Sequence, residues 1–182
     1  MQTAPIPADD AARVADLRAL AILDTPREER FDRITDLAAD VFGVKMCFIT
    51  LVDSERQWFK STCGLKGIDE TPREPGFCAH AIFAPDAMVV PNATKDSRFS
   101  DNPFVTGEFG LRFYAGTALR GPAGEAVGAF CLVDTEPHDF SPRQVAQLKK
   151  FAGLVQAELL RRNEGTGRFA ALKGEGQFAP PL

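Results

Sequence analysis

The 182-residue sequence has few of the residues that build metal centres and redox motifs. It contains two histidines, His80 and His138, and four cysteines that show no C-x-x-C spacing. Structural zinc sites need closely spaced pairs of these ligands. We therefore predict no metal site, and in a reducing compartment we expect the cysteines to be small buried apolar residues.

An excess of positive charge and long apolar runs are missing as well. The formal net charge is -4, whereas a protein that binds phosphate backbones needs a basic face, so we expect no nucleic-acid partner. No segment reaches the roughly 18 uninterrupted apolar residues of a membrane span. The N-terminus, MQTAPIPADD, also lacks the basic start and apolar run of a secretion signal. These absences predict a cytoplasmic protein without a membrane partner.

What is present is the composition of one globular domain, with 45% hydrophobic and 25% charged residues. Near the N-terminus the apolar spacing predicts a helix over residues 9–23. A second helix over 26–42 follows at once, because Thr25 and Glu28 form a capping box with proline at the first helical position, and Gly43 is a natural stop. The stripe of this helix that we expect to be buried consists of Phe31, Ile34, Ala38 and Val41.

The last long helix is predicted over residues 141–162. It begins with a second capping box, made by Ser141 and Gln144. Its buried face consists of Leu148, Phe151, Ala152, Val155 and Leu159. Three further apolar residues, Val145, Leu154 and Leu160, lie off that face. Because this is more apolar surface than one buried stripe needs, we expect a homodimer through residues 9–23 and 141–162.

Four strands are expected between these helices. The run KMCFITLVD at 45–53 is apolar on both faces and indicates a central strand, and RQWFKSTC at 56–63 indicates its neighbour. Residues 64–76 are rich in glycine and proline and predict a loop. FYAGTALR and AVGAFCLV then form a hairpin around the turn Gly121–Gly124.

The order of these elements predicts an α+β fold. A central antiparallel β-sheet carries the helices on one face and a helical and loop insert on the other. This domain covers residues 9–162, between a flexible N-terminus at 1–8 and a flexible tail at 163–182. Since no second domain follows the predicted one, the chain is expected to act through binding, through an effector protein in trans, or through chemistry of its own.

The segment between the two apolar halves carries three unusual motifs. They are F-C-A-H-A-I from Phe77, V-V-P-N-A-x-x-D-x-R-F-x-D-N-P-x-V-x-G from Val89, and R-F-Y-A-G from Arg112. This pattern resembles the central region of GAF domains, the small-molecule sensor modules of bacterial signalling proteins. The resemblance implies a stand-alone sensory module in signal transduction that binds a small molecule between the sheet and residues 75–112. It leaves cyclic nucleotides, haem, bilins and small metabolites open, so the cofactor is unknown.

The candidate ligand-binding residues follow from the mixture of aromatic walls with a few polar groups in this insert. They are Phe77, Cys78, His80, Phe99, Asn102, Phe104, Arg112 and Tyr114. A catalytic thiol–imidazole pair is not expected, because Cys78 and His80 at positions i and i+2 of a helix point to different sides. We therefore predict binding without catalysis, and Cys78 as the most reactive of the cysteines because it lies outside the strand patterns.

Two alternatives remain open at this point. Free methionine sulfoxide reductases are thiol-dependent enzymes on the same fold, and an approach of two cysteines to disulfide distance with one lowered pKa would favour them. A dimerisation module with a closed pocket is favoured if the pocket is filled by Phe77, Phe99, Phe104 and Phe113. A bilin photoreceptor is disfavoured, because in phytochrome-like domains histidine follows the attachment cysteine directly, whereas Ala79 intervenes here.

Overall fold

The computed structural model describes the backbone of residues 1–174 and the side chains of residues 1–161. In this part the chain forms helices around a single six-stranded sheet. The helices are α1 (Asp10–Ala19), α2 (Glu29–Phe42), α3 (Phe77–Ala81), α4 (Pro103–Thr106) and α5 (Pro142–Gly174). The strands are β1 (Met46–Val52), β2 (Arg56–Cys63), β3 (Glu70–Pro72), β4 (Ala87–Val90), β5 (Phe113–Arg120) and β6 (Ala126–Asp134).

The strand order in the sheet is β3-β2-β1-β6-β5-β4, and the paired strands run antiparallel. The two central strands, β1 and β6, are buried at every position. Strands of this kind need apolar cover on both faces of the sheet. The predicted α+β fold around a central antiparallel sheet is confirmed.

The two faces of the sheet are covered in different ways. On one face α1, α2 and α5 bury a cluster that includes Leu17, Phe31 and Leu148. The other face is covered by residues 75–112, called the insert below, through side chains that include Phe99 and Val105. Long helices therefore cover one face, and short helical turns and loops cover the other.

Both N-terminal helices are shorter than predicted. α1 ends at Ala19 rather than at residue 23, because Ala21 and Asp24 adopt positive φ angles of 46° and 59° that a helix does not accommodate. The Thr25 capping box is wrong, since α2 begins at Glu29 and the Thr25 hydroxyl donates instead to the carbonyl of Ile22 at 2.6 Å.

The buried stripe of α2 also differs from the prediction at its C-terminal end. Phe31 and Ala38 are fully buried, but Val41 is 52% exposed. Thr35 takes part in the buried face instead, where its hydroxyl lies 2.8 Å from the Ser61 hydroxyl of β2. A hydrogen-bonded threonine carries no apolar signal, so the hydrophobic pattern alone did not indicate it.

Two edge strands were not predicted. β3 lies inside the predicted 64–76 loop and pairs with β2, and β4 lies inside the insert and pairs with β5. Each is only three or four residues long, so its sequence contains too few residues to show an alternating pattern. Pairing with the neighbouring strand, which is a tertiary contact, decides that these segments are extended.

α5 begins as predicted, with reciprocal hydrogen bonds between Ser141 and Gln144. Its face of Leu148, Ala152, Val155 and Leu159 is buried, whereas Leu154 is 55% exposed. The helix continues to Gly174, past the predicted end at residue 162. The remainder of the predicted tail, residues 175–182, lies outside the described residues. Among the helices that the structure describes, none is both long and apolar enough to cross a bilayer.

The N-terminal segment, predicted to be flexible over residues 1–8, makes hydrogen bonds with residues beside and within the insert. The backbone N–H of Gln2 donates to the carbonyl of Arg98 at 3.0 Å, and that of Ala4 donates to Glu74 at 3.2 Å. Ala4 is buried in the same apolar cluster as the insert. The segment thus contributes to the cover on this face of the sheet.

An ion network joins α1 to the end of β3. The Asp10 carboxylate accepts hydrogen bonds from Arg73 at 2.6 and 2.8 Å and from Arg13 at 2.7 Å, and both arginine side chains are only 3% exposed. The hydrogen bonds from Arg73, followed by those from Arg13, hold the pKa of Asp10 well below its usual range despite partial burial. The charged form of Asp10 is therefore the form that the fold stabilises.

Replacement of Asp10 by asparagine should lower the free energy of unfolding by about 3 kcal/mol at pH 7, because two buried guanidinium groups lose their counter-charge. Since the folded-state pKa is lowered, the contribution of Asp10 is fully present above the unfolded value of about 4 and is lost as the pH falls below it. Urea unfolding of the wild type and of Asp10→Asn between pH 7 and pH 3 should show the difference shrinking with acidity. Asp9→Asn, at an exposed residue without a side-chain capping bond, is the control and should change stability little.

Candidate functional site

A cavity of about 150 Å³ lies between the sheet and the insert. Its aromatic wall consists of Phe48, Phe59, Phe77, Phe104 and Phe109, and its aliphatic wall of Leu65, Ile68, Leu111 and Val133. The polar lining residues are Gln57, Thr71, Cys78, Tyr114 and Cys131. Ile68 is 44% exposed, which places the mouth of the cavity at the loop between β2 and β3. No charged side chain is among the described residues that line it.

Three polar side chains meet at the sheet side of this cavity. The Sγ atoms of Cys78 and Cys131 are 3.4 Å apart, and the Tyr114 hydroxyl donates to Cys78 Sγ at 3.3 Å. All three residues are at most 5% exposed. Cys78 comes from α3, whereas Cys131 and Tyr114 come from the neighbouring strands β6 and β5. The group is therefore assembled by packing of the insert on the sheet.

The position of Cys78 is set by a side chain of β2. Gln57 Oε1 accepts a hydrogen bond from the backbone N–H of Ala79 at 2.9 Å and so holds the first turn of α3. The same amide donates to the Thr71 hydroxyl of β3 at 3.0 Å. Gly76 makes room for it, since a Cβ atom at this position would lie 2.2 Å from the Gln57 side chain. Gly76 thus allows β2 to orient the cysteine-bearing turn.

The position of the Tyr114 hydroxyl depends on a second glycine. Tyr114 and Gly116 lie on the same face of β5, and a Cβ atom on Gly116 would lie 2.3 Å from the Tyr114 hydroxyl oxygen. Gly116 is also the register partner of Cys131 on β6. Without a side chain at 116, the tyrosine ring lies along its own strand and its hydroxyl reaches the thiols.

The three groups have opposite tendencies to ionise. Burial opposes ionisation of Cys78, but its hydrogen bonds with Cys131 and Tyr114 favour the thiolate and lower its pKa. Burial, and then the hydrogen bond to Cys78, raise the pKa of Cys131. Burial and the neighbouring thiols also raise the pKa of Tyr114. If the group loses a proton, the charge therefore resides on Cys78, and the other two donate to it.

Of the predicted ligand-binding residues, the structure brings four to the cavity wall. They are Phe77, Cys78, Phe104 and Tyr114. Phe77 stacks on the predicted Phe99 with their ring centroids 4.1 Å apart, so Phe99 lies behind the wall, where it is fully buried. Phe113, expected to fill a closed pocket, packs in the helix-covered cluster on the opposite face of the sheet.

Two of the other predicted polar residues, Asn102 and Arg112, have hydrogen-bond partners in the backbone. The Asn102 carbonyl oxygen accepts from the Phe104 N–H at 2.8 Å and its amide donates to the Pro75 carbonyl at 2.8 Å, so both ends of this side chain are used. Arg112 donates to the Val105 carbonyl at 2.9 Å. His80 packs edge-on against Phe99, and burial lowers its pKa. These three residues shape the insert and do not line the cavity.

Sequence reasoning missed the residues that the sheet contributes. Phe48, Gln57 and Cys131 are in strands whose pattern predicted burial but not which face each residue occupies in the assembled sheet. Cys63 is partly exposed while Cys78, Cys47 and Cys131 are buried, so the predicted reactivity of Cys78 cannot rest on its exposure. In the described part no three or more His, Cys, Asp or Glu side chains group as metal ligands would.

Comparison with known proteins identifies one family over most of the chain. A family model described as GAF domain matches residues 26–159. The chain is 40% identical over 160 residues to a cyclic di-GMP phosphodiesterase of Pseudomonas aeruginosa, a match that covers 87% of this chain and 27% of that protein. The chain thus spans about a quarter of the length of this relative.

Solved structures with the same fold share little sequence with this chain. The GAF domain of an Acinetobacter phosphoenolpyruvate-protein phosphotransferase is similar with a TM-score of 0.56 at 18% identity, over 88% of this chain and 98% of that one. A free methionine-R-sulfoxide reductase of Neisseria meningitidis, solved with its substrate, is similar with a TM-score of 0.60 at 13% identity, over 91% and 98% of the two chains. At these identities the likeness concerns the fold.

Gly116→Ala should destabilise the protein by about 1–3 kcal/mol, because the added methyl group overlaps the buried Tyr114 hydroxyl. The Tyr114→Phe change in the same background should recover part of this loss by removal of the closest atom. The control is Gly153→Ala in α5, where a Cβ atom meets nothing within 4 Å and alanine should be neutral or slightly stabilising. Urea unfolding of the wild type, Gly116→Ala, Tyr114→Phe, the double variant and Gly153→Ala measures these losses. An equal loss from Gly116→Ala with and without the hydroxyl would contradict the prediction.

Proposed function

Because the chain belongs to the GAF domain family, we propose that it is a sensory module of signal transduction that binds a small uncharged molecule between the sheet and the insert. The observation that carries this proposal is the cavity itself. Apolar walls with a few polar groups are the usual composition of small-molecule sites. The cavity lies on the face that is covered by short elements, where side chains leave space.

The volume indicates a compact ligand. At about 150 Å³ the cavity is smaller than the roughly 300–1,000 Å³ of sites for drug-sized molecules. An engineered apolar cavity of about this volume in another protein binds benzene. Haem and bilins, which the family resemblance left open, need far more space. We therefore propose a ligand near the size of one aromatic ring.

The charges around the cavity favour an uncharged ligand. Phosphates and carboxylates are usually bound by arginine or lysine, and neither type is among the lining residues. The insert's Arg98 is paired with Asp96 at 2.7 Å, and Arg112 donates to backbone carbonyls. Cyclic nucleotides would thus lose their hydration without gaining a counter-charge. The Tyr114 hydroxyl and the two thiols instead suit one polar group on the ligand.

One observation favours the alternative of a thiol-dependent enzyme. Cys78 and Cys131 are close together and Cys78 has a lowered pKa, as a thiol-dependent enzyme would need. Free methionine sulfoxide is a zwitterion, however, and a site for it needs partners for an ammonium and a carboxylate group. The uncharged wall supports the sensor over this enzyme. Assay of the chain with free methionine-R-sulfoxide and a dithiol reductant tests the alternative, and turnover would favour it.

We also propose that the module controls an effector protein. The cyclic di-GMP phosphodiesterase that is 40% identical over the matched region combines such a region with further sequence, because the match covers only 27% of it. The effector proposed from this relative is an enzyme of cyclic di-GMP turnover, in the same polypeptide or in trans. The cytoplasmic location stays a prediction from the sequence.

Ile68→Trp should close the mouth of the cavity. Wild-type protein should bind fluorobenzene with a Kd on the order of 1 mM, detected by fluorine NMR, and the variant should bind at least about tenfold more weakly because the indole fills the opening. Ile6→Trp, at a 71% exposed residue that does not line the cavity, is the matched control and should bind as the wild type does. Equal binding by all three proteins, or none by the wild type, would contradict a ligand-accessible cavity.

The predicted homodimer through residues 9–23 and 141–162 is retained as a proposal, with α2 added to the surface. The exposed apolar residues Leu37 and Val41 of α2 and Leu154 of α5 are each more than half exposed, and α2 packs against α5. Exposed apolar side chains grouped in this way are typical of interaction surfaces. α1 presents mainly alanines to solvent.

Leu154→Glu should convert the dimer into a monomer at micromolar concentration, because it places a charge in an apolar interface. Sedimentation velocity measures the change. Phe83→Glu, at a 37% exposed residue of the insert on the opposite face of the sheet, is the control and should leave the dimer intact. A wild type that sediments as a monomer would remove the proposal.

A further inference from the structure

The Cys78 and Cys131 side chains lie close enough to form a disulfide bond after a small movement. Their sulfur atoms are 3.4 Å apart, so a disulfide of about 2.05 Å requires them to approach by about 1.4 Å. α3 is a helix of five residues at the start of the insert, whereas β6 is a central strand of the sheet. A shift of the short helix toward the strand therefore brings the two sulfur atoms together.

The surroundings favour oxidation of this pair over the other two cysteines. Cys78 receives hydrogen bonds that stabilise its thiolate, and the thiolate is the nucleophilic form. Cys47 and Cys63 are opposite each other on β1 and β2, but burial and the nearby Asp36 carboxylate raise the pKa of both. Exposure alone would favour oxidation of Cys63, whereas the stabilised thiolate favours oxidation of Cys78.

The cavity provides the route to these buried sulfurs. Both cysteines line it, and its mouth is at the partly exposed Ile68. A hydrogen peroxide molecule is little larger than water, so a cavity of about 150 Å³ admits it. The apolar wall excludes charged oxidants and charged thiols of the solution.

We propose that Cys78 and Cys131 are a peroxide-oxidised thiol pair, in which a disulfide between α3 and β6 reports the oxidant to the rest of the domain. In the first step the Cys78 thiolate attacks one peroxide oxygen, the O–O bond breaks, and Cys78 becomes a sulfenic acid while hydroxide leaves and is protonated to water. In the second step Cys131 attacks Cys78 Sγ and loses its proton, the S–O bond breaks, and a second water leaves. The thiols supply two electrons to the peroxide, and a dithiol reductant returns them to the pair.

Oxidation changes the cavity through atoms already described. Movement of Cys78 shifts the turn that Gln57 holds and the Phe77 ring that forms part of the wall. The Tyr114 hydroxyl also loses its thiolate acceptor. Oxidation and ligand binding are thus coupled; this coupling rests on the proposed ligand function, whereas the oxidation itself does not.

The direct test is peptide mass spectrometry of the wild-type chain after treatment with hydrogen peroxide at neutral pH. The expected product is a Cys78–Cys131 crosslink with the loss of two hydrogen atoms, reversed by dithiothreitol, with Cys47 and Cys63 remaining as thiols. Cys131→Ser should stop at the sulfenic acid of Cys78, captured by dimedone. Cys63→Ser is the matched control and should crosslink as the wild type does. Native-like melting of each variant shows that it is folded.

A further variant tests the role of the tyrosine hydroxyl. Tyr114→Phe should slow crosslinking at pH 7 by roughly three- to tenfold, because the thiolate fraction falls about tenfold for each unit by which the pKa rises. The difference from the wild type should disappear at a pH where Cys78 is fully ionised in both proteins. Unchanged rates at pH 7 would contradict the assigned role of the hydroxyl.

Three results would overturn the proposal. They are no crosslink in the wild type, a crosslink between Cys47 and Cys63 instead, and dimedone capture at Cys78 that is the same with and without Cys131. None of them depends on an organic ligand. Protection of the pair by saturating fluorobenzene is expected only if the ligand cavity is also correct, so its failure alone would point to the ligand proposal.

Discussion

The central constraint in this molecule is the burial of β1 and β6 on both faces. Every residue of the two strands is buried, so the sheet is stable only when apolar groups cover both sides. Three helices with well-patterned faces close one side and form a continuous cluster around Phe31, Leu148 and Val155. The remaining cover comes from the insert and the first residues of the chain.

Short elements cannot close a sheet face as completely as long helices do. α3 has five residues and α4 has four, so each helix places only a few side chains on the sheet. A cavity therefore remains above Phe48 and Cys131. The polar atoms at this cavity satisfy one another: Gln57 holds α3, and Tyr114 donates to Cys78. The cavity that leaves room for a ligand also has the Cys78 and Cys131 thiols at its sheet side, 3.4 Å apart.

Most of the fold was predictable because its signals are local. Two-sided apolarity identified β1 and β6, and the Ser141–Gln144 capping box located the start of α5. The capping box at Thr25 met every local criterion and was wrong, because the Thr25 hydroxyl is used by Ile22 and by the buried Lys60 of β2. A contact between residues distant in the sequence decided where α2 begins.

The sequence by itself determined that both faces of the sheet need apolar cover. It also determined that the insert, with its mixture of aromatic and polar residues, covers one of these faces in a less regular way than the helices cover the other. It also identified four residues of the cavity wall, Phe77, Cys78, Phe104 and Tyr114. Only the tertiary structure decided that Asn102 and Arg112 serve the backbone and that Cys131 meets Cys78. The physical reason is that hydrogen-bond partners and sulfur–sulfur distances depend on strand register and helix placement, which bring together residues far apart in the chain.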